Sequence, residues 1–508
     1  MSIKIAFIGA GSVGFTRKLI RDVLAVEELQ DTHFALHDIN KDNLDRVEKL
    51  IGKDVKGNDL PAKVSRSLNR AKALEGAHYV VNCTRIGGLE AFAQDIEIPL
   101  KYGIDQCVGD TLCAGGIMYG QRNIPCILDF CHDIHEHAAD DALLLNYANP
   151  NAMNTWAAAG YGDVSVVGLC HGVQHGHHQI AKVIELLIND GKGPDDDGFV
   201  PVQREDVEII CAGINHQTWY IQVIYDGQDW TDRLLEGFQR HPEYAKTEKV
   251  RIDMLKRFGY YSTESNGHLS EYVPWYRKRP REIRKWIDTS TWIHGETGGY
   301  LRVCTEGRNW FETDFPKWME AEDKPIGPEN RSVEHGSRII EALETGRVYR
   351  GHFNVVNDGC ITNLPDDAIV EVPCYVDANG ISVPQVGDLP LGCAAVCDVS
   401  INVQRLAVEA AVRGDVTLLK QAMMMDPLTG AVCDTEQISQ MTDEMLIAQA
   451  KWLPQYKNAI PDARKRLAEA RESGSYRGTK TGRGTARRKV KSVDQLRRKP
   501  GDAAKPPK

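Results

Sequence analysis

Along its first two hundred residues the chain alternates short apolar runs with stretches of helical periodicity. Residues 3–9, IKIAFIG, apolar but for Lys4, read as a buried strand, and Leu19, Ile20, Val23 and Leu24 then follow at helical spacing. HFALHD reads as a second strand ending in Asp38, and Leu44, Val47, Leu50 and Ile51 mark one face of a second helix. HYVVNC, ALLLNY and VSVVGLC are further short apolar runs, each followed by a polar or glycine-rich turn. Strands alternating with helices predict βαβ units and a parallel sheet. The texture changes near residue 196, after the polar loop GKGPDDDG, where strands lengthen and aromatics multiply. The pattern predicts an α/β protein with a Rossmann-like parallel-sheet domain over residues 1–195. A mixed α/β domain for substrate, metal and oligomer contacts is predicted over 196–456, and a charged helix with a basic, disordered tail over 457–508.

Composition alters this picture in two places. The net charge of −10 over 508 residues hides an asymmetry: residues 477–508 hold twelve Lys and Arg against two acids, which leaves −20 on the rest. An acidic body argues against a nucleic-acid surface, except for weak contact by the tail. The thirteen cysteines, without a C-x-x-C pair, fit reduced thiols in a cytoplasmic protein. The N-terminus enters a strand directly, with no separate apolar leader region, and no membrane-spanning run is expected.

The candidate chemistry falls at the ends of the predicted strands. Gly9, Gly11 and Gly14 form G-x-G-x-x-G between a strand and a helix, where backbone N–H groups and the helix dipole suit a pyrophosphate. Asp38 ends the next strand, where its carboxylate would take the ribose hydroxyls of NAD. Cys170 and His171 close another strand, and Asn215-His216 sit at a further strand end. A thiolate and an imidazole together could hold a divalent metal with open positions for substrate, and by themselves suggest zinc or iron before manganese. His175, His177 and His178 fall at a helix start and read as surface residues. Residues 109–116, GDTLCAGG, read as a glycine-rich loop carrying Asp110. Residues 262–276 gather Glu264, His268, Glu271, Tyr272 and Trp275 in one short stretch.

Taken in order, IGAGS, GDTLCAGGI, NYANPNAMNTWA, VGLCHGVQ, CAGINH, TESNGHLSEYVPW, NVVNDGCITNLP and MMMDPLTGAV resemble glycoside hydrolase family 4, and within it the melibiase-type α-galactosidases. The resemblance runs to about residue 456. It implies a fold similar to lactate and malate dehydrogenases, and hydrolysis by redox and elimination rather than by two carboxylates. NAD⁺ takes hydride from C3, the 3-ketone acidifies C2, a base removes that proton, and a divalent metal, usually Mn²⁺, stabilises the enediolate. The aglycone leaves, water adds, and the hydride returns.

Carried onto this sequence, the resemblance makes Cys170 and His216 metal ligands and Asn149 a substrate contact. It makes His171 the acid and Tyr272 the base, with Tyr220 or Tyr261 as alternatives, and Asp110 the carboxylate that raises the tyrosine's basicity. Homo-oligomers and a small carbohydrate substrate are also implied. Three departures stand out. Cys113-Ala114 replaces a usual Gly-Pro, Gly14 is commonly absent from the group, and the basic tail has no counterpart. α-Glucuronides or α-galacturonides are the alternative substrates within the family. A lactate/malate-type dehydrogenase and an NAD-sensing regulator are the readings outside it.

Overall fold

A computed structural model describes residues 2–480, 482, 484–492 and 495. The first half supplies strands β1 (Lys4–Ile8), β2 (His33–His37), β3 (Lys63–Ser67), β4 (Tyr79–Asn82), β5 (Leu143–Asn146) and β6 (Ser165–Gly168). All pair in parallel in the order β3-β2-β1-β4-β5-β6, the doubly wound order of dinucleotide-binding sheets. Helices α1 (Val13–Leu24), α2 (Lys41–Gly57), α3 (Arg70–Leu74), α4 (Gly88–Lys101), α5 (Cys113–His137), α6 (Asn151–Tyr161) and α7 (Gly172–Asn189) connect and flank them. Ile5, Phe7, Phe34, Leu36, Val81 and Leu145 are buried, and helices cover both faces of the sheet, as the continuous apolar strand runs require.

The second half extends the same sheet. Strands β7 (Val207–Ile214), β8 (Gln217–Tyr225), β9 (Gln228–Asp229), β10 (Tyr261–Ser262), β11 (Tyr349–Val356), β12 (Ile369–Asp377) and β13 (Gly380–Ser382) bring it to thirteen strands. The junction is antiparallel, Asn354 of β11 opposite Gly168 of β6, and β12, β7, β8 and β10 continue outward. β7 and β8 form a hairpin whose two turn residues are Asn215 and His216. Gly213 permits that closure, since a β-carbon there would strike the Gln217 carbonyl.

The helix Leu391–Arg413 is long and apolar enough to cross a membrane by length and composition. It instead packs on α5 and α6, and Cys393, Cys397, Ile401, Val403 and Gln404 are buried in that contact. It also carries Asp398 and Arg405, so it is not an unbroken apolar run.

Two further expectations differ from the structure. The glycine-rich stretch 109–116 is a loop only to Leu112, and α5 begins at Cys113. Its glycines serve helix packing: a β-carbon on Gly116 would collide with the Thr111 backbone, and one on Gly115 with the Gly109 carbonyl oxygen. The tail expected to be disordered runs, over its described residues, along the body. Thr479 N–H donates to the Lys101 carbonyl, Thr485 N–H to Asp105 Oδ2 and Ala486 N–H to Thr297 Oγ1, while Arg487 pairs with Glu97. Low apolar content gave no core to join, but a cationic segment on a body of −20 has acidic partners, and glycines let it lie flat. A β-carbon on Gly482 would strike Leu100, and one on Gly484 would strike Thr297. Residues 481, 483, 493, 494 and 496–508 of that expectation lie outside the described residues.

Candidate active site

Because β1 to β6 are parallel, their carboxyl ends place in one row the glycine loop, Asp38, Arg85, Asn149 and Cys170. Ligands in open α/β sheets bind beyond such ends. In the nucleotide loop Gly9 has φ +87°, and a β-carbon there would press on Cys83 and Thr84 at 3.0 Å. Gly11 faces Asp38: its N–H donates to Oδ2 at 2.8 Å, and a β-carbon would lie 2.6 Å from that oxygen. Asp38 Oδ1 accepts the Asn40 N–H at 2.7 Å. Gly14 differs, since a β-carbon there would meet open space.

At β6 three side chains from separate segments converge. Cys170 Sγ, His216 from the β7–β8 turn and Glu264 from the loop after β10 bring their ligand atoms within 4.8 Å of one another. The Cys170 thiol donates to Glu264 Oε1 at 3.4 Å, and His216 Nε2 stands 3.9 Å from the same oxygen. On the far side of the ring, Thr111 Oγ1 lies 2.9 Å from His216 Nδ1. That hydroxyl spends its single proton on Asp110 Oδ1 at 3.0 Å. With that proton on Asp110, the imidazole donates from Nδ1, which leaves Nε2 as a bare lone pair aimed at Cys170 and Glu264. This carboxylate–hydroxyl–imidazole relay is the arrangement that orients a metal-binding histidine, and the sulfur, nitrogen and oxygen donors fit a divalent cation.

The electrostatics agree with that fit. Burial pushes His216 down to about 4, so the ring is neutral at neutral pH and its lone pair is available. Burial pushes the Cys170 thiol well up, and Glu264 and Glu371 add to the rise, so the sulfur keeps its proton until a cation displaces it. Burial also works to raise the Glu264 carboxyl, but the surrounding imidazoles of His216, His268 and His171 outweigh it and hold it below the ordinary range.

The other candidates surround this cluster. Asp110 is buried and accepts from Asn149 Nδ2 at 3.0 Å, so the expected substrate contact and the expected basicity-raising carboxylate are bonded to each other. Tyr272 is fully buried with its hydroxyl 3.5 Å from His216 Nδ1. Burial, then the charges of Glu271 and Asp110, raise its phenol well above the usual value. The alternative bases are occupied elsewhere. Tyr220 donates to the Val173 carbonyl, and Tyr261 donates to Gln179 and stacks on Phe238.

His171 precedes α7 with its side chain 67% exposed and Nδ1 3.8 Å from Glu334 Oε1. Cys113 is buried against Thr429, its N–H donating to Asp426, away from the cluster partners. His175 and His178 are exposed; His177 is half-buried on the Val207 carbonyl.

Three residues here were not assigned a part from the sequence. Glu264 appeared only as one member of a polar cluster, Thr111 not at all, and Glu271 without a role. Glu271 proves to be a clamp, its carboxylate accepting the N–H groups of Cys107, Val108 and Gly109 at 2.6, 3.2 and 3.0 Å. The positive φ of Glu264, +67°, is visible only in three dimensions. Thr111, adjoining Asp110, could have been suspected from that position alone.

This fold with this cluster fits an enzyme of the dinucleotide-binding type with donors suited to a cation where its strands end. The profile for family 4 glycosyl hydrolases matches residues 4–186, and that for the family 4 glycosyl hydrolase C-terminal domain matches residues 211–429. The chain belongs to glycosyl hydrolase family 4. It is 57% identical to an alpha-galactosidase of Rhizobium meliloti (strain 1021), over 98% of this chain and 97% of that one. It is 35% identical to an alpha-galactosidase of Bacillus subtilis (strain 168), over 89% and 100%. Among solved structures, a 6-phospho-alpha-glucosidase from gut microorganisms, in complex with NAD and glucose-6-phosphate, superposes with a TM-score of 0.70 at 25% identity, over 89% and 99%. The protein is a glycoside hydrolase. The Rhizobium match also corrects one expectation. It leaves only 2% of this chain uncovered, so it extends into the basic tail, which therefore has a counterpart.

Proposed function

We propose that the protein hydrolyses α-galactosides by transient oxidation and elimination, with NAD and a divalent cation, manganese by preference. The observation that carries this reading is the convergence of Cys170 and the bare Nε2 of His216 beyond β6, in the row of strand ends that begins with the glycine loop and Asp38. The likeness to alpha-galactosidases along almost the whole chain supports the sugar. When bound, NAD⁺ supplies a reversible hydride acceptor and the cation supplies charge stabilisation at neighbouring sugar oxygens.

The chain's own groups do the rest. Gly9 and Gly11 let the backbone approach the pyrophosphate, and Asp38 takes ribose hydroxyls. Cys170 and His216 hold the cation, and Asn149, fixed by Asp110, orients the sugar. Tyr272 takes the proton at C2. Its phenol is raised by burial and by Glu271 and Asp110, and it needs the positive charge beside His216 to ionise. His171, exposed directly after Cys170, gives its proton to the departing oxygen.

A neutral sugar fits the cation nearest this row. Arg85 lies against the rings of Phe92, Tyr119 and Tyr300 and 3.8 Å from Asp110, so its charge is already compensated, while a buried Nη1 lacks a partner and can donate to a hydroxyl. All thirteen cysteines are free, which supports a reducing cytoplasm, and we take the working form to be a homo-oligomer. The test is nitrophenol release from nitrophenyl α-galactoside with NAD⁺, Mn²⁺ and thiol, each then omitted singly. Activity lost without NAD⁺ or metal is the expected result. Activity confined to α-galacturonide or α-glucuronide would overturn the choice of sugar.

A further inference from the structure

We infer that Glu264 is a third protein ligand, so that the divalent cation is held by this chain before any sugar arrives. This rests on the reading that Cys170 and His216 bind that cation. Two donors at about 2.0–2.3 Å from one ion, at a tetrahedral angle, stand roughly 3.3–3.8 Å apart. Glu264 Oε1 lies 3.4 Å from Cys170 Sγ and 3.9 Å from His216 Nε2, close to that spacing from both at once. The S–H proton between Cys170 and Glu264 occupies the place that a cation would take.

The chain makes room for this carboxylate. Gly172 has no positive φ to require glycine, yet a β-carbon there would collide with Glu264 Oε1. Glu264 itself is held at φ +67°, a backbone region that residues other than glycine rarely enter without compensation. Its second oxygen faces the other way: His268 Nδ1 lies 3.6 Å from Oε2 and is in turn 2.8 Å from Ser265 Oγ. Oε1 is therefore left pointing into the cluster. Among the described residues its ion-pair partners are the two imidazoles, His216 and His268, with no lysine or arginine. A half-buried carboxylate and a half-buried thiolate together lack two positive charges, which one divalent cation supplies. Three ligands approaching from the protein side leave the opposite face open for a pair of vicinal sugar hydroxyls.

The test uses the full chain, stripped of metal by chelation and titrated with Mn²⁺ in buffer free of sugar and nucleotide, with free Mn²⁺ read by electron paramagnetic resonance. The wild-type chain is expected to bind one equivalent. Glu264→Gln, an isosteric change, should weaken sugar-free binding by on the order of tenfold or more. Glu264→Asp, which keeps the charge but shortens its reach, should also weaken it, and carries the test should the first variant fail to fold. Wild-type affinity in either folded variant, with binding lost in Cys170→Ser and His216→Gln, would overturn this inference and leave the metal reading standing. Unchanged binding in Cys170→Ser and His216→Gln would overturn the metal reading itself.

Discussion

The glycine loop and the Cys170–His216–Glu264 cluster stand over the carboxyl ends of the same parallel strands, yet they are assembled by different means. The nucleotide loop is local: Gly9, Gly11 and Asp38 come from two consecutive βα units, and its fit depends on side chains being absent. The cluster draws one donor from the end of β6, one from a hairpin turn and one from the loop after β10, and it depends on side chains being present and oriented. The difference lies in where tolerance resides. A local loop fails through one added carbon, whereas a convergent cluster fails through any of three segments or through the relay behind them.

That contrast can be broken most severely at the cluster. Cys170→Ser or His216→Gln should reduce hydrolysis on the order of a thousandfold, about 4 kcal/mol in the barrier, in steady-state assays at saturating NAD⁺ and Mn²⁺. Thr111→Val removes the acceptor on His216 Nδ1 without touching a ligand, and metal affinity should fall by roughly ten- to a hundredfold. In the loop the second and third glycines should separate. Gly11→Ala crowds Asp38 and should weaken NAD⁺ binding, measured by calorimetry, whereas Gly14→Ala, with open space around it, should leave binding unchanged. Smallest is the effect of acid on His335, which stands behind the cluster against the Cys170 backbone. Burial pushes His335 down to about 3, so the folded chain keeps it neutral while the unfolded chain protonates it near 6.5. Its contribution to stability is complete above about pH 6.5 and declines as pH falls toward 3, by at most about 1.4 kcal/mol per pH unit. Thermal melts at pH 7.5, 6 and 5 would follow it, and His335→Gln should flatten the trend.

The same contrast explains what the sequence disclosed. Strand β1, the glycine turn and Asp38 are readable because apolar runs and turn chemistry act over a few residues. Cys170 and His216 were legible as strand ends, and Asp110, Asn149 and Tyr272 through the resemblance. Glu264 was not, because nothing in TESNGH distinguishes a ligand from a loop acid until β10 pairs with β8 and carries it to Gly172. The single sheet was hidden as well, since Asn354 and Gly168 meet across 186 positions of sequence. The docked tail escaped composition for a related reason: its partners Asp105, Glu97 and Thr297 lie far back along the chain.

The central claim is that the bond breaks through oxidation and proton removal at C2, and one experiment reads that directly. Nitrophenyl α-galactoside is hydrolysed in D₂O with NAD⁺ and Mn²⁺, and the released galactose is examined by NMR. Removal of the C2 proton and its replacement from solvent predict deuterium at C2 with no net NADH formed. Galactose that retains its original hydrogen at C2 would contradict the account.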